Sequence, residues 1–182
     1  MSITLVLGGA RSGKSAFAEN LARESTLPVA YIATALAGDA EMAARIAHHR
    51  ARRPANWRTV EAPLALADAL EAHAVADGCV LVDCLTLWLT NLLFHERKEF
   101  PDTRNIDPGP QFTRQLERLI EVLPRLPGTI IIVSNEIGFG VTPIGAMTRF
   151  FVDEAGRLNQ RAAALAQHVR LIVAGCPVKV KG

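Results

Sequence analysis

The run Gly8-Gly9-Ala10-Arg11-Ser12-Gly13-Lys14-Ser15 fits G-x-x-x-x-G-K-[ST], and it stands between an aliphatic stretch, Ile3 to Leu7, and a helix-forming one, Ser15 to Glu24. Its position makes the match informative. A strand that runs into a glycine-rich turn and then a helix can aim several backbone N–H groups at one phosphate, and the helix N-terminus adds positive potential. Lys14 is then expected to bridge the terminal phosphates of a nucleotide, and the Ser15 hydroxyl to ligate Mg2+. A strand–loop–helix unit of this kind also constrains the fold, because it is built into sheets whose strands are mostly parallel.

The rest of the chain repeats the theme. Val29 to Ala33, Cys79 to Val82, Thr129 to Val133 and Leu171 to Val173 read with Ile3 to Leu7 as buried strands, apolar throughout rather than alternating. Helical patterns lie between them at Ser15 to Glu24, Asp39 to about Arg52, Leu64 to Ala74, Leu85 to Phe94, Phe112 to Leu123 and Arg149 to Gln167. The tail Val178-Lys179-Val180-Lys181 alternates like an edge strand with its lysines toward water. His95 to Pro110 is the long irregular stretch, read as a solvated connector. The expectation is one α/β domain over residues 1–182: a mostly parallel sheet flanked by helices, with a short C-terminal edge strand.

Composition narrows the function. The chain has 182 residues, 49% hydrophobic and 21% charged, enough for a sizeable core. Aromatics at 5% are too few for stacked single-stranded nucleic acid, and a net charge of +2 is too weak for nonspecific DNA or membrane binding. No apolar stretch is long enough to span a bilayer and no basic leader precedes Ile3, so a cytoplasmic protein is expected. Cys79, Cys84 and Cys176 have no zinc-like spacing and fit a reducing compartment as free thiols.

Ligands of open α/β sheets collect at the carboxyl ends of the strands, where Thr34, Asp83 and Ser134 to Glu136 should gather. Asp83 ends an apolar run and is the expected metal or nucleotide carboxylate, with Glu136 as the other acidic candidate. Strand-end aspartates also serve as plain turn residues; the phosphate loop gives this one its second reading. The basic residues are sixteen Arg and four Lys, an excess that a G+C-rich genome would also produce. Five of the arginines (Arg45, Arg50, Arg52, Arg53 and Arg58) fall within fourteen residues around His48 and His49. At about 100° per residue, Met42, Ile46 and His49 share one helical face and His48 points elsewhere. A basic surface helix with a half-buried histidine accounts for this pattern. So does a lid clamping a phosphoryl group, or a nucleophilic histidine among charge-stabilising arginines. The residues alone do not choose.

Taken together, the chain resembles the bifunctional adenosylcobinamide kinase/adenosylcobinamide-phosphate guanylyltransferases of cobalamin assembly. The likeness is carried by GGARSGKS, Tyr31-Ile32-Ala33-Thr34 and Glu41 to Ile46. It continues through His49-Arg50, Arg53-Pro54, Trp57-Arg58-Thr59 and Glu61, and then Thr90 to Leu93, Ser134 to Gly138 and Gly156 to Gln160. The resemblance implies a RecA-like P-loop NTPase fold, a homotrimer, and two successive reactions. ATP or GTP phosphorylates the aminopropanol hydroxyl of adenosylcobinamide; GTP then guanylylates a histidine, which passes GMP to the phosphorylated corrinoid. It places that histidine at His49, adjacent to His48, and nucleotide contacts at Gly8 to Ser15, Ala33, Thr34, Ala35, Arg50, Ala51, Arg52, Arg53, Glu61 and Asp83. The chain departs from the family pattern after Gly140: Pro143 is followed by Ile144-Gly145 where an acidic residue is common, and Val152 stands where Arg is usual before Asp153. A P-loop kinase of another small metabolite, with the arginine-rich helix as a lid only, and a nucleotide-dependent switch are the competing readings. The N-K-x-D segment of guanine-specific switches does not occur.

Overall fold

The computed structural model describes residues 1–36, 38, 40, 44, 47, 50–51, 53–96, 99–100 and 106–182. The strands are β1 (Ser2–Gly8), β2 (Val29–Ala33), β3 (Arg58–Glu61), β4 (Cys79–Asp83), β5 (Thr129–Asn135), β6 (His168–Val173) and β7 (Cys176–Lys181). The helices are α1 (Lys14–Glu24), α2 (Leu66–His73), α3 (Leu85–His95), α4 (Pro110–Val122) and α5 (Ala146–Leu165), with a 3-10 turn at Leu123–Arg125.

Among the described residues the strands form one sheet in the order β3-β2-β4-β5-β1-β6-β7. All pairs are parallel except β6 with β7. β5 therefore lies between the strand that feeds the glycine-rich loop and the strand that ends in Asp83. The continuous apolar runs are explained by cover on both faces. Ile3, Leu5, Val80, Val82, Ile130 and Ile132 pack under α2 to α5 around the fully buried Trp88. Val6, Tyr31, Leu81, Ile131 and Val133 turn the other way, under Ala18 and Ala22 of α1. Trp88 satisfies its indole by donating to the Leu64 carbonyl at 2.8 Å, which holds the segment leading into α2 against α3.

Three features differ from the sequence reading or add to it, each with a physical cause. β3 lacks an apolar run, since only Thr59 and Val60 are even half-buried; it is an edge strand made by parallel pairing of Arg58 to Glu61 with Ala30 to Ala33. Second, β7 lies at the sheet edge with both lysines exposed, as expected, and Lys181 has a helix partner in addition. Its ammonium donates to the Ala163 and Ala164 carbonyls at 2.9 and 3.2 Å, a cation on the unpaired end of α5. Third, the stretch after α3 is not wholly solvated: Phe100 packs against the core and meets the Phe94 ring edge-on at 5.7 Å.

Candidate active site

The glycine-rich loop leaves β1 at Gly8 and enters α1 at Lys14. Two residues adopt left-handed backbone to turn it, Gly13 at φ 95° and Arg11 at φ 56°, and Ser12 N–H closes the turn on the Gly9 carbonyl at 3.3 Å. α1 has no side-chain cap and no acidic residue in its first turn, and the positive end of its dipole faces the loop. Lys14 Nζ donates to the Gly9 carbonyl at 3.0 Å, spanning the loop it would release to reach a phosphate. The buried Ser12 hydroxyl has no hydrogen-bond partner among the described residues.

This loop rests on a neighbour that the sequence did not reveal. The β6–β7 turn, Ala174-Gly175, has positive φ at both residues, and Gly175 N–H donates to the Ser12 carbonyl at 2.8 Å. The space where Gly13 would carry a Cβ is bounded by Gly175 Cα at 3.3 Å, so two glycines allow the close approach.

Beside the loop stand the ends of β4, β2 and β5. Asp83 pairs in register with Val133, which also pairs with Val6. Its backbone thus lies two strands, about 10 Å, across the sheet from the strand that opens the loop. The half-buried Asp83 carboxylate accepts from the Tyr31 hydroxyl at 2.9 Å. Burial pushes the Cys84 thiol up to about 12; the Asp83 charge adds to the shift and the Lys14 ammonium opposes it. Thr34 is fully buried; its hydroxyl donates to the Cys84 carbonyl and accepts from the Cys84 N–H, both at 2.8 Å. Asn91 donates to the Thr34 carbonyl at 2.7 Å and to the Pro63 carbonyl at 3.1 Å.

At the end of β5, Glu136 N–H donates to the Gly8 carbonyl at 3.1 Å, so this acidic residue abuts the loop. Its carboxylate accepts from Gly138 N–H at 2.7 Å. Thr86 accepts from Asn135 N–H at 2.8 Å, and Asn159 donates to the Asn135 carbonyl at 3.0 Å. The side chains of Asn91 and Asn159 thus brace the ends of β2 and β5. Beyond Glu136, a cavity of about 580 Å³ opens between Ile137 to Pro143 and the α5 residues Arg149, Asp153 and Arg157. Val152, where the family pattern has Arg, lines it, and Phe139, Val141 and Ile144 stand almost fully exposed at its border.

The described parts of the arginine-rich segment meet this site at its edge. Arg50 pairs with Glu61 at 3.6 Å, both largely exposed, and Ala62 N–H donates to the Ala33 carbonyl at 2.9 Å. Arg53 is laid on the Tyr31 ring, its guanidinium carbon 3.4 Å from the centroid. His48, His49 and Arg52 lie outside the described residues. For Mg2+ the chemistry of the donors is suitable: the Ser15 hydroxyl and Asp83 carboxylate are hard oxygen ligands. Among the described residues no group of three or more His, Cys, Asp or Glu is placed to hold a metal ion by itself.

A family model described as cobinamide kinase / cobinamide phosphate guanyltransferase matches residues 4–180. The bifunctional adenosylcobalamin biosynthesis protein CobP of Pseudomonas aeruginosa is 56% identical over 178 residues, 98% of this chain and 96% of its own length. CobU of Escherichia coli, named as bifunctional in the same way, is 44% identical over 179 residues, 97% of this chain and 98% of its own. Among solved structures, the RadB recombinase superposes with a TM-score of 0.50 at 17% identity, over 93% of this chain and 73% of that one. The type III secretion ATPase EscN gives 0.53 at 11%, over 95% and 43%. Those two likenesses concern fold alone, and the fold is the RecA-like P-loop type.

Proposed function

Since the chain belongs to the cobinamide kinase / cobinamide phosphate guanyltransferase family, we propose that it catalyses both of the reactions that description names, using one P-loop and one histidine. The observation that carries the reading is the meeting of the Gly8–Ser15 loop, Asp83 and Glu136 at the carboxyl edge of the sheet. In the first reaction the aminopropanol hydroxyl of adenosylcobinamide attacks the terminal phosphorus of ATP or GTP. A P–O bond forms, the bridge to the β-phosphate breaks, and the hydroxyl proton is lost. Loop N–H groups and Lys14 bind the phosphates and hold them in line; Ser15 and Asp83 hold Mg2+, which supplies charge neutralisation when bound. Glu136 is suited to take the hydroxyl proton, being an acidic group next to Gly8.

In the second reaction a neutral His49 imidazole attacks the α-phosphorus of GTP. The bond to the β-phosphate breaks, and pyrophosphate leaves. A phosphate oxygen of adenosylcobinamide phosphate then displaces the imidazole, giving adenosylcobinamide-GDP. The assignment to His49 rests on the resemblance of the arginine-rich segment. So do the nucleotide contacts at Ala33 to Ala35, Arg50 to Arg53 and Glu61, and a homotrimer. The cavity of about 580 Å³ lined from Ile137 onward offers the corrinoid side chain room. We further propose that residues 1–182 work as one cytoplasmic domain. The sheet takes strands from Ser2 to Lys181, and among the described residues no helix is long and apolar enough to cross a membrane.

The test is turnover of adenosylcobinamide with GTP alone, with ATP alone and with both, products identified by mass. The phosphorylated corrinoid followed by adenosylcobinamide-GDP and pyrophosphate is expected. A phosphorylated product that never acquires GMP would reduce the function to a P-loop kinase, and no product with either nucleotide would overturn the reading.

A further inference from the structure

Tyr31 is the single tyrosine of the chain and is 2% exposed. It lies in the middle of β2, on the sheet face covered by α1, in register with Leu81 of β4. A buried phenol needs an acceptor, and this one reaches the strand-end carboxylate, Asp83 Oδ2, at 2.9 Å. The other side of the contact is built as well. The Arg53 guanidinium lies on the ring face at 3.4 Å, close enough for a cation–π contact. Its Nη1 donates to Thr59 Oγ1 at 3.5 Å, and its Nε is buried without a hydrogen-bond partner among the described residues. Glu19 of α1 is 1% exposed, and its Oε2 lies 3.9 Å from Arg23 Nη2.

An aspartate at the end of a strand can rotate about its side-chain torsions. With one oxygen held by a donor that is itself locked in the sheet, that freedom is removed before any ligand arrives. We infer that Tyr31 is a positioning residue: its hydroxyl fixes the Asp83 carboxylate for the Mg2+–nucleotide, and the Arg53 stack ties that carboxylate to the arginine-rich segment. The inference rests on the reading of Asp83 as the metal carboxylate, and the test separates the two.

Tyr31→Phe keeps the ring and the Arg53 stack and removes only the hydroxyl. GTP binding to the full chain is measured by calorimetry in EDTA and across a Mg2+ titration, alongside Mn2+ binding to the GTP complex by electron paramagnetic resonance. In EDTA the variant should bind GTP as wild type does. Its metal affinity in the GTP complex should fall about 10-fold, the lower end of what loss of an outer-shell partner costs. Asp83→Asn should fall further. If Asp83→Asn leaves metal affinity unchanged, the reading of Asp83 fails and takes the inference with it. If Asp83→Asn loses affinity and Tyr31→Phe does not, the inference about Tyr31 is overturned while the reading stands. A second measurement needs no substitution. Because the chain has one tyrosine, 3-fluorotyrosine labelling puts a single fluorine resonance at this position. That resonance should shift when Mg2+ joins the GTP complex and not when GTP binds in EDTA; a resonance indifferent to Mg2+ would overturn the inference.

Discussion

Replacing Gly8 by alanine tests how the phosphate loop is seated. The added methyl would press on Ser12 Oγ and lie 2.8 Å from the Ile172 carbonyl oxygen. The first contact can be relieved, because the Ser12 hydroxyl has no hydrogen-bond partner among the described residues and can rotate. The second cannot, because Ile172 is paired in register with Gly8 and its strand continues into the turn whose Gly175 N–H holds the Ser12 carbonyl. β1 and β6 must therefore part locally. Overpacking of this kind costs about 1–3 kcal/mol. For a chain of this size each kcal/mol moves the melting midpoint by about 2–4 °C, so a fall of roughly 2–12 °C is expected. Gly9, the next residue, has nothing within 4 Å of its ideal Cβ and needs no positive φ, so Gly9→Ala should melt within about 2 °C of wild type. The assay is thermal unfolding of both variants without nucleotide, followed by dichroism. Gly8→Ala melting with wild type, or Gly9→Ala falling as far as Gly8→Ala, would refute the reasoning.

Two further outcomes follow from burial and backbone. Gly128→Ala combines a φ of 78° with a Cβ driven onto the Val75 carbonyl and to 2.7 Å from that of Gly78; it should lower stability by more than about 3 kcal/mol in denaturant unfolding, and a loss under about 1 kcal/mol would contradict this packing. Cys176 is exposed, whereas Cys79 and Cys84 are buried and burial holds their thiols up at about 11 and about 12. At pH 8 a thiol reagent should therefore titrate one equivalent rapidly in the native protein and three after denaturation; a second rapid equivalent would contradict the burial.

The central strands and the phosphate loop were legible because they are the parts dictated by local pattern. Ile3 to Leu7, Val29 to Ala33, Cys79 to Val82 and Thr129 to Val133 are apolar runs because both sheet faces are covered, and each appears within one or two residues of its expected end. β3 was not legible, because Arg58 to Glu61 owes its strand state to a neighbour and not to its own composition. The helix expected from Arg149 begins at Ala146, since Gly145 and not the first large apolar residue sets its start. Within the site, the strand-end gathering of Thr34, Asp83 and Ser134 to Glu136 follows from the parallel topology. What periodicity could not show is who holds whom. Gly175 supports Ser12 from 163 residues away, and Arg53 lies on the Tyr31 ring. Periodicity reads Tyr31 as one more apolar strand position; it is the only tyrosine in the chain and opens the Tyr31-Ile32-Ala33-Thr34 stretch that carries the resemblance.

The central claim is a two-reaction enzyme whose guanylyl group passes through a histidine. Its most direct test uses GTP labelled at the α-phosphate, incubated with the wild-type chain and Mg2+ in the absence of corrinoid. The account predicts label on the protein, bound through an acid-labile and base-stable bond, released on adding adenosylcobinamide phosphate, and absent from His49→Ala. Label retained by His49→Ala at the wild-type level would show that the nucleophile is a different residue, and no label on the wild-type protein would contradict the covalent route.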